Sequence, residues 1–153
     1  DLVTLLGSSF TVVLPHQDFQ AREIPLIGTI TRGTDAQAAA KILDNLTYKA
    51  GLGDSVTTTA SGDTLYAATE PDYVATLGQT GTLGSTPAFT QAVRDPDKAV
   101  VAGFVDLDAI ESSYLSDVPK DQRDAVQALR AVAFSATTDG PGGSSFSLRV
   151  VGN

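Results

Sequence analysis

Apolar positions along this 153-residue chain recur with two periods, one of two residues and one near 3.6, and each change of period marks a new element. Phe10, Val12 and Leu14 lie in phase, which predicts a half-buried strand over Phe10–Leu14, ended by Pro15. The polar stretch His16–Glu23 reads as a connection. Ile24–Thr31 predicts a second strand, with Leu26, Gly28 and Ile30 on one face and Ile27, Thr29 and Thr31 on the other. The period then lengthens. Ala36, Ala39, Ala40, Leu43, Leu46 and Ala50 share one helical face, Thr34 with Gln37 forms a capping-box pattern, and Gly51 supplies the stop.

Val56–Ala60 and Thr64–Thr69 predict a hairpin around Ser61-Gly62-Asp63. Pro71 and Pro87 each suit the first position of a short helix, the second burying Ala88, Phe89, Ala92 and Val93 before Asp95-Pro96 breaks it. Val100–Val105 is almost continuously apolar, so it is expected to be a central strand covered on both faces. Asp106 caps a brief helix with Leu107, Ile110 and Tyr114 spaced to pack. Pro119 opens another, with Ala125, Val126 and Leu129 facing inward. The chain closes on a predicted hairpin in which Val132, Phe134 and Ala136 alternate in one arm and Phe146, Leu148 and Val150 in the other, joined by Asp139–Gly143. Hairpins with helices between them predict a single α+β domain over residues 1–153: an antiparallel sheet with helices packed mainly on one face. Two ββ units flanking helices hint at internal duplication, though no short motif repeats.

Composition narrows the function. The formal charge is −8, from 18 acidic and 10 basic side chains, and the cations are scattered. Nucleic-acid binding draws on clustered Lys and Arg that release phosphate counterions, so no nucleic-acid partner is expected, nor an anionic membrane surface. No apolar run approaches the roughly 20 residues of a spanning helix, so direct membrane insertion is not expected. With no Cys, thiolate catalysis, thiolate metal sites and disulfides are all excluded. Six Phe and four Tyr fall mostly in phase with the apolar faces and are expected in the core, although Tyr66 and Tyr73 are candidates for exposure.

Candidate chemistry is sparse. His16, the single histidine, sits beside Gln17 and Asp18 in a polar stretch. A general base must be positioned by a partner, one His cannot supply multi-His ligation, and a surface-loop residue is expected. Asp106, Asp108 and Glu111 follow an apolar strand, a place where carboxylates can hold Mg²⁺ or Ca²⁺. The same residues also suit the cap and positive end of the next helix. Asp95 and Asp97 flank Pro96 and read as a turn. Gly140–Gly143 lacks the Lys of a phosphate-binding loop, and no Gly-x-Ser-x-Gly or Ser-x-x-Lys pattern occurs. Asn45-Leu46-Thr47 matches a glycosylation sequon, but Leu46 belongs to the apolar face of its helix. No catalytic residue and no cofactor is expected.

A resemblance adds location. Its carriers are Leu5-Leu6-Gly7, the Ile24–Thr31 strand with its Thr34-capped helix, Glu70-Pro71-Asp72-Tyr73, Leu83–Phe89, Phe104–Asp108 and Ala133–Thr137. Over nearly its whole length the chain resembles the C-terminal part of an uncharacterised family of membrane-anchored extracytoplasmic proteins from high-GC Gram-positive bacteria. That resemblance implies an extracytoplasmic, cell-envelope setting, with an anchor and a first half upstream of Asp1, and it carries no catalytic residues. The absence of Met, position 1 included, fits a cut end at Asp1. Three readings follow. The first is a non-enzymatic interaction or structural domain whose partner is a protein or envelope component. The second is a module binding a lipid or small apolar ligand, which requires an apolar cavity. The third is a divalent-cation-dependent enzyme or binder using Asp106, Asp108 and Glu111.

Overall fold

Two hairpins, Thr57–Ala68 and Leu129–Gly152, join strands across short connections, and every ladder among the described residues is antiparallel. A computed structural model describes residues 2–18, 23–138 and 143–152, without the side chains of Asp54, Ser112, Ser113, Tyr114 and Thr138. The fold is α+β. It divides into two compact units, Asp1–Thr80 and Gly81–Asn153, and each has its own sheet. Of the predicted connection Asp139–Gly143 in the last hairpin, residues 139–142 lie outside the described residues.

The first unit contains α1 (Leu2–Leu6), β1 (Ser9–Val13), β2 (Gly28–Arg32), α2 (Ala36–Lys49), β3 (Thr57–Ser61), β4 (Thr64–Ala68) and α3 (Pro71–Leu77), with strand order β1-β2-β4-β3. Inner strand β4 carries much of the core: Leu65, Ala67 and Ala68 are buried. On the Leu65 face, α2 lays Ala36 and Ala39, flanked by Ala40, Leu43 and Ala60. Small side chains bring helix and sheet close together. On the opposite face, Tyr73 and Leu77 of α3 close over Gly28, where an added Cβ would lie 2.9 Å from Tyr73 Cε1 and 2.8 Å from Leu77 Cδ1. Helices α1 and α2 thus lie on the Leu65 face, where Thr31 donates its hydroxyl to the Leu5 carbonyl, and only the short α3 lies on the other, in keeping with helices packed mainly on one face.

Side-chain hydrogen bonds explain where the elements begin. Asp35, not Thr34, caps α2, its Oδ1 accepting from the Ala38 N–H at 3.0 Å. Thr34 instead donates its hydroxyl to the Thr4 carbonyl, tying on α1, a helix that the apolar pattern did not announce. Gly7, at φ +58°, turns the chain from α1 into β1; a Cβ there would stand 2.3 Å from the Arg32 carbonyl oxygen. The predicted strand at Ile24–Thr31 starts four residues late. Pro25 has no N–H to offer a ladder, and the backbone around it is held by side chains. The buried Gln17 amide grips Leu26 from both sides, accepting from its N–H at 2.6 Å and donating to its carbonyl at 2.7 Å. Thr69 donates to the Pro25 carbonyl and accepts from the Ile27 N–H.

The second unit contains α4 (Pro87–Ala92), β5 (Ala99–Asp106), α5 (Leu107–Tyr114), α6 (Arg123–Gln127), β6 (Leu129–Thr138) and β7 (Ser144–Gly152), with order β5-β6-β7. Pro87 occupies the first turn of α4, and Thr86 caps it by accepting from the Phe89 N–H. Ala88, Ala92 and Val93 pack on Ala131 and Ala133, with Phe89, Phe104 and Val151 around them. Phe89 and Phe104 meet edge to face at 5.3 Å. Two expectations change. Leu129 belongs to β6 and not to the preceding helix. Strand β5 is an edge, and Val100, Val101 and Val105 are exposed. Apolar run length reports the wish for burial, and β5 has helices on its Phe104 face only.

The core assignment is checked by two truncations. Leu65→Ala, at a side chain 2% exposed, is expected to cost about 3 kcal/mol in urea unfolding, and Val3→Ala, at one 83% exposed, less than about 0.5 kcal/mol. Equal costs would contradict the packing. A second check uses pH. Desolvation by burial raises the Tyr73 phenol above its ordinary 10.0, so the neutral form is favoured in the fold. Its contribution is fully present below about pH 10 and is lost as pH rises through the folded value. Tyr73→Phe is expected to flatten this alkaline fall in melting temperature; an unchanged slope would refute the assignment.

Candidate functional site

The Asp-rich strand end resolves into three separate jobs. Asp106 is the cap of α5, its Oδ1 accepting from the Ala109 N–H at 3.2 Å. Asp108 lies in the first turn, where the helix dipole favours a carboxylate, and its Oδ2 stands 3.9 Å from Arg130 Nε. Glu111 accepts from the Gln127 side-chain amide at 2.6 Å, joining α5 to the end of α6. Each carboxylate thus faces a different protein donor. Among the described residues no group of three or more His, Cys, Asp or Glu side chains is placed to hold a metal ion.

The other candidates are dispersed. His16 is exposed, and the buried neighbour that matters is Gln17, whose role in holding Leu26 no motif signalled. Asp95 takes a left-handed conformation (φ 46°) at the turn before Pro96, with Lys98 Nζ 3.8 Å from its carboxylate. Both partners are exposed, and such a pair contributes little. Tyr66 and Tyr73 are half-buried. Leu46 lies in line with Ala39 and Leu43 on α2 but is about half exposed, and Thr47 of the sequon donates its hydroxyl back to the Leu43 carbonyl. A cleft of about 340 Å³ is lined by Phe89, Thr90, Val93, Arg94, Asp95 and Pro96. It opens to solvent beside α4 and mixes charge with apolar surface, so it is not the apolar space between sheet and helices that a lipid would need. No helix among the described residues is long and apolar enough to cross a membrane.

What the residues do assemble is a surface. The ladders place Val101, Gly103 and Val105 of β5, Val132, Phe134 and Ala136 of β6, and Phe146, Leu148 and Val150 of β7 on one face of the three-stranded sheet. The α4 core occupies the other face. On the open face Phe146, Leu148 and Val150 are 71%, 66% and 58% exposed, and Val101, Val105 and Phe134 about half. No ionisable side chain is among the nine. The relief is shaped as well. The Phe134 ring lies over Gly103, so close that an added Cβ would stand 2.0 Å from it, and it stacks on Phe146 at 6.4 Å. Phe134 and Phe146 are therefore not core residues. Their alternation with polar neighbours was legible in the sequence, but alternation alone does not say which face the helices take.

The cap reading of Asp106 separates from a metal-ligand reading by substitution. Asp106→Ala is expected to cost about 1 kcal/mol in thermal or urea unfolding, and Asp106→Asn to keep the cap within about 0.5 kcal/mol. A melting temperature that rises on adding millimolar Ca²⁺ or Mg²⁺, and loses that rise in Asp106→Asn, would reverse the conclusion. Comparison with known proteins returns no match, whether to a family model, a curated protein sequence or a solved structure.

Proposed function

We propose that this chain is a non-enzymatic interaction domain that docks a protein through the open face of its β5–β6–β7 sheet. One observation carries the reading: Val101, Val105, Phe134, Phe146, Leu148 and Val150 form a contiguous apolar, charge-free surface on an ordered sheet. From their fractional exposures they present roughly 650 Å² to solvent, at or above the upper end of the largest patch on a typical monomer, and such patches mark interaction sites. Phe134 at the middle of the face, with the Phe146 ring stacked on it, suits the surface for docking, because large rigid side chains dominate binding energy. The setting in this proposal, the exterior of an anchored cell-envelope protein, is supported by the resemblance of the strand, cap and turn segments alone.

The test is position-specific. A photo-crosslinking amino acid at position 146 or 148, in the cells that make this protein, is expected to give discrete adducts to protein. The same group at Lys41, exposed on α2, is expected to give none. Equal labelling at all three positions, or adducts to lipid only, would overturn the reading.

A further inference from the structure

We infer that the partner on this face is a second copy of the chain, the two β5–β6–β7 sheets packing face to face about a two-fold axis into a six-stranded sandwich. The inference rests on the docking reading above and names its occupant. Area is the first argument. Covering roughly 650 Å² on each of two copies removes about 1,300 Å² from water, inside the standard class of stable interfaces. Charge is the second. The chain carries −8, yet none of that charge lies on the nine face positions, so two copies can close without desolvating an ion or opposing like charges there. A foreign partner is usually selected by complementary charge, and this face offers none to select with. Homodimer interfaces are also the more apolar kind.

Relief sets the orientation. Strand β7 stands tall with Phe146, Leu148 and Val150, and β5 is low with Val101, Gly103 and Val105. A two-fold axis running along the strands sets the β7 ridge of each copy over the β5 trough of the other. An axis across the strands would oppose ridge to ridge and leave the troughs empty. Pairing along the free edge of β7 would leave the whole apolar face in water, so packing, not edge addition, is what the surface asks for. Two sheets in this arrangement sit about 10 Å apart, the separation that interdigitating side chains fill.

Sedimentation equilibrium of the full chain is expected to give a two-chain mass at tens of micromolar. Phe146→Asp should weaken the dimer at least about 30-fold, because it removes the most exposed aromatic ring of the face and would bury an unpaired carboxylate. Because Phe146 is mostly exposed, that variant should melt like the parent at concentrations where both are monomeric; Leu148→Ser provides a second variant should it not. The chain has no Cys, so single introduced thiols report orientation. A short bis-maleimide is expected to join Val105→Cys chains to Val150→Cys chains in a mixture, and to leave Val150→Cys alone mainly unjoined. A parent chain that stays monomeric at 200 µM (roughly the ceiling for a weak specific dimer) would overturn the inference, as would a dimer indifferent to Phe146→Asp. If the chain is monomeric but position 146 still crosslinks to a different protein, the docking reading stands and self-association falls. If position 146 gives no protein adduct, both fall.

Discussion

Apolar surface on a sheet has to leave water on both sides, and the β5–β6–β7 sheet is supplied with helices for one side only. The Ala131 and Ala133 side receives Ala88, Ala92 and Val93 and becomes a small, close-packed core. The reverse side, with Phe134, Phe146 and Leu148, receives nothing from the described residues of its unit. Most features of this unit follow from that imbalance: a nearly continuous apolar strand that turns out to be an edge, two Phe rings stacked at the surface, and a glycine hollowed to seat one of them. The first unit solves the same problem within itself. Its inner strand β4 is covered by α2 on one face and approached by α3 on the other, so little apolar area remains there to be satisfied by a partner.

Polar side chains in both units mainly support backbone. Asp35, Thr86 and Asp106 cap helices; Gln17 and Thr69 replace ladder bonds where Pro25 interrupts a strand; Glu111 ties two helices together. A carboxylate that accepts a helix N–H is held in a fixed place by that bond. This is why Asp106, Asp108 and Glu111, adjacent in sequence, do not converge in space. What the structure gathers into one place is apolar, and this moves the weight of the functional argument from side-chain chemistry to surface shape.

Much of the fold was legible from periodicity. The strands near Phe10, Thr57, Thr64, Val101, Val132 and Phe146, the long helix over Ala36–Lys49, and the Pro-started helices at Pro71 and Pro87 all lie where alternation, helical spacing and capping residues put them. The misses have physical reasons. Helix α1 is short and held by a tertiary hydrogen bond from Thr34, which no local pattern encodes. The strand at Ile24 was shortened by Pro25. The division of hairpins between two sheets depends on long-range pairing, which hydrophobic pattern does not specify. The surface face was half visible: Phe146, Leu148 and Val150 were correctly set in phase, but whether a phase faces helices or solvent is decided by the position of α4, 50 or more residues away in sequence.

The central claim is that this open face is an interface, and methyl-resolved NMR over a dilution series tests it most directly. The account predicts that methyl signals of Val101, Val105, Leu148 and Val150 move together with protein concentration, and that those of the buried Leu65, Ala39 and Ala92 stay fixed. Methyl signals on the open face that are independent of concentration up to the solubility of the chain, or shifts concentrated elsewhere, would contradict it.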